Sequence, residues 1–150
     1  MYSNELEELR NECVLKMVKA ISQFQMFERE LKGHIEGKYN VIRAILNGKA
    51  TFNYSKSSLN KKMLGGLVEE LSNLTDDEKL IKELKEIVPY RNEIAHERFF
   101  IVSESDDINY LKDTLVWLQG IEWQLAQISV RYINDIFKTT FTHIDAFENN

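Results

Sequence analysis

The sequence predicts an all-α fold: an up-and-down helical bundle of four to five helices with two long outer helices, which we expect to form a dimer. Two observations carry this prediction. Apolar residues recur at intervals of three and four over long stretches at both ends of the chain. Only one proline and six glycines interrupt the 150 residues, which is unusual for a turn-rich β fold. The length and a hydrophobic content of 43% fit one globular domain over residues 1–150.

The first helix is predicted from an apolar series that repeats every seven residues from Leu6 to Phe27. We expect it to end at about Glu36, because Gly33 and Gly37 weaken a helix. Such a helix is longer than a small monomeric core requires. Part of it is therefore expected to pack on a second subunit.

Residues 38–54 allow two interpretations. The apolar residues from Tyr39 to Leu46 have helical spacing, and Asn47-Gly48 would then end the helix. The same Asn-Gly pair, between Val41-Ile42 and Thr51-Phe52, could instead form the turn of a β-hairpin. We prefer the helix.

The next helix begins at Ser57 or Ser58 and continues to about residue 72. Leu59, Met63, Leu67 and Leu71 lie along one side of it. This assignment puts Gly65-Gly66 inside the helix, where each glycine costs about 1 kcal/mol of helix propensity.

A capping box of Thr75 and Glu78 predicts the start of the following helix. This helix passes through Pro89, the only proline, where we expect a kink or a restart because proline removes a backbone donor. An acidic linker is predicted over residues 101–107, and a second long helix runs from Ile108 to Ile136. The tail from Thr140 is expected to fray.

Several classes of protein are disfavoured by composition. The sequence has no apolar stretch long enough for a membrane span, and its N-terminus does not resemble a signal peptide. The lone Cys13 cannot form an internal disulfide and falls in an apolar stripe, so core packing is expected. A cytoplasmic protein with no membrane partner is therefore predicted. The three histidines lack the spacing of a metal site, so no metal is expected. No other cofactor is predicted.

The charge is unevenly distributed along the chain. The net charge is −5, which argues against broad non-specific binding of nucleic acid. Residues 1–75 contain 11 Lys and Arg against 9 Asp and Glu, whereas residues 76–150 contain 8 against 15. An RNA would have to use a local patch such as Lys56, Lys61 and Lys62 together with Arg91. A solvated helix face is the alternative interpretation of these lysines.

The candidate catalytic residues are Arg91, Asn92 and His96, which follow Pro89. Asn92 and His96 are four residues apart and share a helix face. Arg91 is five residues before His96, which places it about 140° around a regular helix. Guanidinium, carboxamide and imidazole groups together can bind a phosphate and transfer a proton beside it.

The segment Arg91-Asn92-Glu93-Ile94-Ala95-His96, on a helix bracketed by two long helices, resembles the HEPN superfamily. The hallmark of that superfamily is an arginine followed, after four to six residues, by a histidine, often as Arg-Asn-x-x-x-His. The upstream segment Leu64-Gly65-Gly66-Leu67 is similar to the Leu-Gly-x-Leu stretch of compact prokaryotic members. The resemblance covers most of the chain in helix order, but close sequence similarity is limited to about ten residues.

The resemblance implies a metal-independent endoribonuclease of a toxin–antitoxin, abortive-infection or other defence system. It implies a homodimer in which two Arg/His sets meet in one cleft, and an RNA substrate, such as tRNA, that is cleaved to 2′,3′-cyclic phosphate ends. In that mechanism His96 is the general acid or base, Arg91 binds the scissile phosphate, and Asn92 orients His96 or contacts the phosphate. Lys56, Lys61, Lys62 and Arg98 are the expected RNA-binding residues.

An antitoxin or another regulatory protein is a further expected partner. Toxins that are modified by a minimal nucleotidyltransferase often have tyrosine two residues after the histidine, but this chain has Arg98 there. That form of regulation is therefore in doubt. One alternative function is a non-catalytic HEPN-like module whose polar cluster binds a nucleotide or a protein. Another is a helical-bundle interaction protein in which Arg91 and His96 hold the dimer interface together.

Overall fold

The structure is a computed structural model that describes residues 2–148. Over this range it is entirely helical and contains no β-strand, which confirms the predicted all-α class. The α-helices are α1 (Tyr2–Leu46), α2 (Lys56–Lys61), α3 (Leu64–Ser72), α4 (Glu78–Glu93), α5 (Phe99–Glu104) and α6 (Ile108–Glu148), and a π-helical turn, Ile94–Arg98, separates α4 from α5. None of the described helices is both long enough and apolar enough to cross a membrane.

The chain divides into two compact units. The first contains the chain up to Met26 and the segment Glu86–Gln127, and the second contains Phe27–Lys85 and the chain from Ile128 onward. Helices α1, α4 and α6 therefore each contribute residues to both units.

The core of the first unit is formed by apolar residues of α1, the end of α4, the π turn, α5 and α6. Cys13, Met17 and Phe24 are completely buried on α1, as their seven-residue pattern predicts. The Sγ atom of Cys13 donates to the backbone carbonyl of Leu111 at 3.4 Å, and burial raises the pKa of this thiol. These observations confirm the predicted core role of Cys13.

In the second unit, hydrogen bonds join the C-terminal parts of α1 and α6, and successive bonds lie one turn further along both helices. His34 contacts Asp135, and Lys38 contacts Thr139 one turn later, so these two segments run parallel. The core of this unit contains fully buried residues of α1, α3 and α4, including Leu31, Ile35, Leu64, Leu67, Leu71, Leu80 and Leu84.

Helix α1 does not end near Glu36 as predicted. It continues through Gly33 and Gly37 to Leu46, because buried residues such as Ile35 and Tyr39 offset a propensity cost of about 1 kcal/mol per glycine. It ends where Asn47 (φ 43°) and Gly48 (φ 75°) adopt left-handed conformations, as expected for a helix stop. The helical interpretation of residues 38–46 is thus confirmed, and the hairpin is excluded.

The single helix predicted from Ser57 or Ser58 to residue 72 is wrong, since two helices occupy this range. Helix α2 starts at Lys56 with Ser55 as its N-cap, and Lys62 is its C-cap. Met63 is the N-cap of α3 and is 56% exposed, rather than part of the apolar stripe. Gly65-Gly66 consequently lies in the first turn of α3, where low helix propensity costs less than in a helix interior.

Helix α4 begins one residue after Asp77, whose Oδ1 accepts from the backbone N–H of Leu80 at 2.9 Å. Asp77 is therefore the cap, whereas Thr75, the predicted cap, binds Asp135. The helix does not restart at Pro89 but continues through it to Glu93.

The predicted linker over residues 101–107 is partly helical, because α5 extends to Glu104. Asp107 caps α6 by accepting from the N–H groups of Asn109 and Tyr110. Helix α6 starts at Ile108 as predicted, but it continues to Glu148, so the expectation of a frayed tail from Thr140 is wrong for the described residues.

Candidate functional site

A π-helical turn carries the candidate histidine. The turn comprises Ile94–Arg98 in the first unit, with Ile94 buried in the core and His96 exposed at its centre. A π turn forms hydrogen bonds between residues five apart instead of four apart. Such turns are rare in proteins, but those that occur are often found at functional sites. The irregularity that the sequence suggested at Pro89 thus lies five residues further along the chain.

Arg98 is the anchor of this turn. Its Nε donates to Oε1 of Glu93 at 2.6 Å, although residues five apart lie on different faces of a regular α-helix. Its guanidinium also lies 4.0 Å from the ring centroid of Trp117 on α6, and Tyr90 contacts the same indole edge-on. An ion pair therefore connects the turn to α4, and a cation–π contact connects it to α6.

Arg91 and Asn92 occupy the last turn of α4, directly before the π turn. Arg91 is half-buried and its Nη1 donates to Oδ1 of Asn92 at 3.4 Å, whereas Asn92 is exposed. The three candidate catalytic residues are thus all in the first unit, within six positions of the chain. An exposed imidazole can exchange protons with a bound substrate, and a guanidinium can bind a phosphate.

The surroundings of His96 are not uniformly basic. Glu93 and Glu97 belong to the same short segment, and Glu93 neutralises Arg98. Arg98 would have to exchange Glu93 for a phosphate in order to bind RNA. Its role as an RNA-binding residue stays a prediction, while its packing on Trp117 is a structural role that the sequence did not predict.

The other predicted RNA-binding residues belong to the second unit. Lys56 is exposed and lies 3.1 Å from Glu36, while Lys62 is half-buried and lies 2.6 Å from Glu70. Lys61 is exposed at the end of α2. The lysines are therefore grouped around α2, in a different unit from Arg91, Asn92 and His96.

Sequence reasoning missed a buried polar network in the second unit. Asp135 is 3% exposed, and its Oδ2 contacts His34 Nε2 at 2.6 Å and Lys38 Nζ at 3.1 Å. Its Oδ1 accepts from the hydroxyl of Thr75 at 2.7 Å. Burial alone would raise the pKa of Asp135, but the hydrogen bonds from His34 and Thr75 and the charge of Lys38 together hold it well below its usual range.

A weak signal of this network exists in the sequence. Lys38 and Asp135 are charged residues at positions that would otherwise continue the apolar stripes of the two long helices. A charge in such a position is buried only when it is paired. The partner could not be identified from the sequence, because the paired residues are about one hundred positions apart.

Comparisons of the chain with family models, with curated proteins and with solved structures give no match. The resemblance to the HEPN superfamily therefore depends on the residues of this chain and their helical context. Within residues 2–148, no group of three or more His, Cys, Asp or Glu side chains is placed to hold a metal ion.

Proposed function

We propose that this protein is a metal-independent endoribonuclease of the HEPN type, acting in a defence or toxin–antitoxin system. The observation that best supports the proposal is the exposure of His96 on a π turn that directly follows Arg91 and Asn92. Arg98 holds the turn in place through its contacts with Glu93 and Trp117, so the backbone that carries the imidazole is fixed by side-chain contacts. A defined position is what a proton-transfer residue requires.

In the proposed reaction the RNA supplies its own nucleophile. A base removes the proton of the ribose 2′-hydroxyl, the oxygen attacks the adjacent phosphorus, and the bond to the 5′-oxygen of the next nucleotide breaks. The leaving 5′-oxygen takes a proton, and the products are a 2′,3′-cyclic phosphate and a 5′-hydroxyl. His96 serves in one of the two proton transfers, a role that typically contributes 10²–10⁴-fold to a rate.

Arg91 acts on the phosphate rather than on the protons. A guanidinium binds the non-bridging oxygens and stabilises the charge that develops there in the transition state. Asn92, which accepts from Arg91, orients this group and the imidazole.

We propose that two copies of the chain form a homodimer in the cytoplasm, so that two such sets form a composite site and a second His96 provides the other proton transfer. An antitoxin or another regulatory protein would then control the activity.

The reaction makes a specific prediction about the substrate. An RNA oligonucleotide with a single 2′-deoxyribose at the cleaved position lacks the nucleophile, so it should resist cleavage at that bond while neighbouring bonds are still cut. Detection of a 2′,3′-cyclic phosphate on the unmodified product would complete the test. Cleavage at the deoxyribose position would exclude this mechanism.

A non-catalytic module that binds a nucleotide or a protein is the second candidate. The observation that favours it over a nuclease is that Glu93 neutralises Arg98 and Glu97 lies next to His96 in sequence, which leaves the motif little net positive charge for a long RNA strand. Such a module would be stabilised against unfolding by its ligand and would leave RNA intact. Thermal unfolding with and without nucleotide, combined with a cleavage assay, separates the two functions.

A further inference from the structure

Three aromatic side chains of the second unit line a cavity of about 330 Å³. Tyr39 comes from α1, and Phe52 and Tyr54 come from the loop between α1 and α2. The rings of Tyr39 and Tyr54 are stacked, with centroids 4.5 Å apart and an interplanar angle of 28°, and Phe52 lies 5.5 Å from Tyr39. We call this cavity the aromatic pocket. Its volume is at the small end of the range for ligand sites, which suits one flat ring system and an attached sugar.

Contacts on both sides of the loop hold the pocket in shape. The guanidinium of Arg43 lies 4.9 Å from the ring centroid of Tyr54, and its Nε donates to the backbone carbonyl of Phe52 at 3.3 Å. The hydroxyl of Tyr39 donates to Glu70 on α3. The rings are therefore positioned before any ligand arrives, which reduces the entropy cost of binding.

Apart from Leu59, the remaining lining residues are polar and differ in hydrogen-bonding type. Asn53 contributes an amide, Ser58 a hydroxyl, and Glu70 a carboxylate that accepts from Lys62 at 2.6 Å. Donors and acceptors next to aromatic rings are the means by which proteins recognise an unpaired base, since the ring stacks and the base edge forms hydrogen bonds.

The sequence that contains the aromatic loop is basic, although Lys56 pairs with Glu36 and Lys62 pairs with Glu70. Residues 37–68 contain six Lys or Arg residues and no Asp or Glu, although the whole chain has a net charge of −5. Lys56 and Lys61 are exposed on α2, directly after the aromatic loop. Exposed cations beside stacking rings are the combination that binds single-stranded nucleic acid, because the cations contact phosphates and the rings contact bases.

We propose that the aromatic pocket binds one unpaired nucleotide of an RNA strand. The base stacks against the accessible parts of Phe52 and Tyr54, and the flanking phosphates lie near Lys56 and Lys61. The identification of the strand as a substrate rests on the proposed function of His96. The pocket itself would be a separate subsite that selects unpaired RNA over duplex RNA.

The first test measures binding of a short single-stranded RNA that carries one 2-aminopurine, whose fluorescence falls when the base stacks on an aromatic ring. The full-length protein with His96→Ala is used so that the RNA stays intact. We expect quenching on binding, and we expect Phe52→Ala to raise the Kd about tenfold and to abolish the quenching, in line with the usual contribution of one base–aromatic stack. Phe52→Trp should retain the binding.

Phe137→Ala is the matched control, because Phe137 is an exposed phenylalanine of α6 in the same unit that does not line the aromatic pocket. It should leave the Kd within twofold. Equal weakening by Phe52→Ala and Phe137→Ala, or no weakening by Phe52→Ala with helicity unchanged, would overturn the proposal.

A second set of ligands distinguishes the source of the nucleotide and separates this proposal from that for His96. A free 5′-mononucleotide should bind at least a hundredfold more weakly than the oligonucleotide, and equal binding would overturn the assignment to an RNA strand. A protein that fails to cleave RNA but shows Phe52-dependent quenching would refute the nuclease and support the pocket. Cleavage that depends on His96, without any effect of Phe52→Ala on binding, would refute the pocket alone.

Discussion

Glu93 and Arg98 are five residues apart, yet their side chains form a 2.6 Å ion pair across the π turn that contains His96. On a regular α-helix the same spacing would leave the two side chains about 140° apart. The ion pair and the packing of Arg98 on Trp117 therefore compensate for the irregular backbone. His96 lies between Glu93 and Arg98 in sequence. Its position therefore depends on their ion pair, although His96 itself does not take part in that pair.

Glu93→Gln should weaken this turn. We expect a loss of about 0.5–1 kcal/mol in the free energy of unfolding, since the pair is partly exposed and such pairs are worth little more. If the π turn positions His96, cleavage of RNA should also fall severalfold. Glu97→Gln is the control, because Glu97 is an exposed residue of the same turn, and it should leave stability within 0.5 kcal/mol. Urea unfolding of both variants gives the comparison, and an equal effect would contradict this role of Glu93.

Asp135→Asn should be far more damaging. The substitution removes the negative charge of Asp135 and leaves Lys38, whose side chain is 11% exposed, without that ion-pair partner. Removing one partner of a buried ion pair costs about 3–5 kcal/mol of unfolding free energy. Asp113→Asn is the matched control, because Asp113 is exposed on the same helix. Chemical unfolding should show a loss in the first variant and a change below about 0.5 kcal/mol in the second. A loss under 1 kcal/mol for Asp135→Asn would show that the network contributes little.

The titration of Asp135 should make the stability of the protein depend on pH. The pKa of Asp135 in the folded protein is below its ordinary value, so the unfolded chain binds the proton more readily. Its contribution is therefore complete above the unfolded pKa of about 3.9 and is lost progressively as the pH falls from there towards the folded pKa. The difference in unfolding free energy between the wild type and Asp135→Asn should shrink below about pH 4. A difference that stays constant from pH 7 to pH 3 would contradict this prediction.

Thr114→Val should stabilise the protein. Thr114 is completely buried in the first unit, and its hydroxyl has no hydrogen-bond partner among the described residues. Replacing an unsatisfied hydroxyl with a methyl group of similar size should add about 1 kcal/mol. Thr114→Ser keeps the hydroxyl and loses a methyl group, so it should cost about 1 kcal/mol. Thermal unfolding of the two variants should show midpoints that move in opposite directions.

The features that were predicted correctly are those with local causes. Asn47-Gly48 ends α1 because these residue types tolerate left-handed conformations, and the buried positions of Cys13, Met17 and Phe24 follow from helical periodicity. Gly33 and Gly37 did not end the helix, because packing along the helix outweighs the propensity of two residues.

The features that were missed depend on distant residues. Arg98 of the π turn packs on Trp117, which belongs to a different helix. The burial of Lys38 requires Asp135, which is 97 positions away in the sequence. Arg91, Asn92 and His96 stay predictions made from residue types and spacing, whereas the π turn that carries His96 was not predicted.

Cleavage of total tRNA and of a mixed RNA pool in the presence of EDTA tests the central claim most directly. The wild type, His96→Ala and Arg91→Ala would be compared, with Arg29→Ala as a control at an exposed arginine of the second unit. Helicity and mass in solution should first be shown to be unchanged. We predict cleavage by the wild type and Arg29→Ala, and a loss of at least a hundredfold in the other two. Equal cleavage by all four proteins, or none by a well-folded wild type, would contradict the assignment of His96 and Arg91 as catalytic residues.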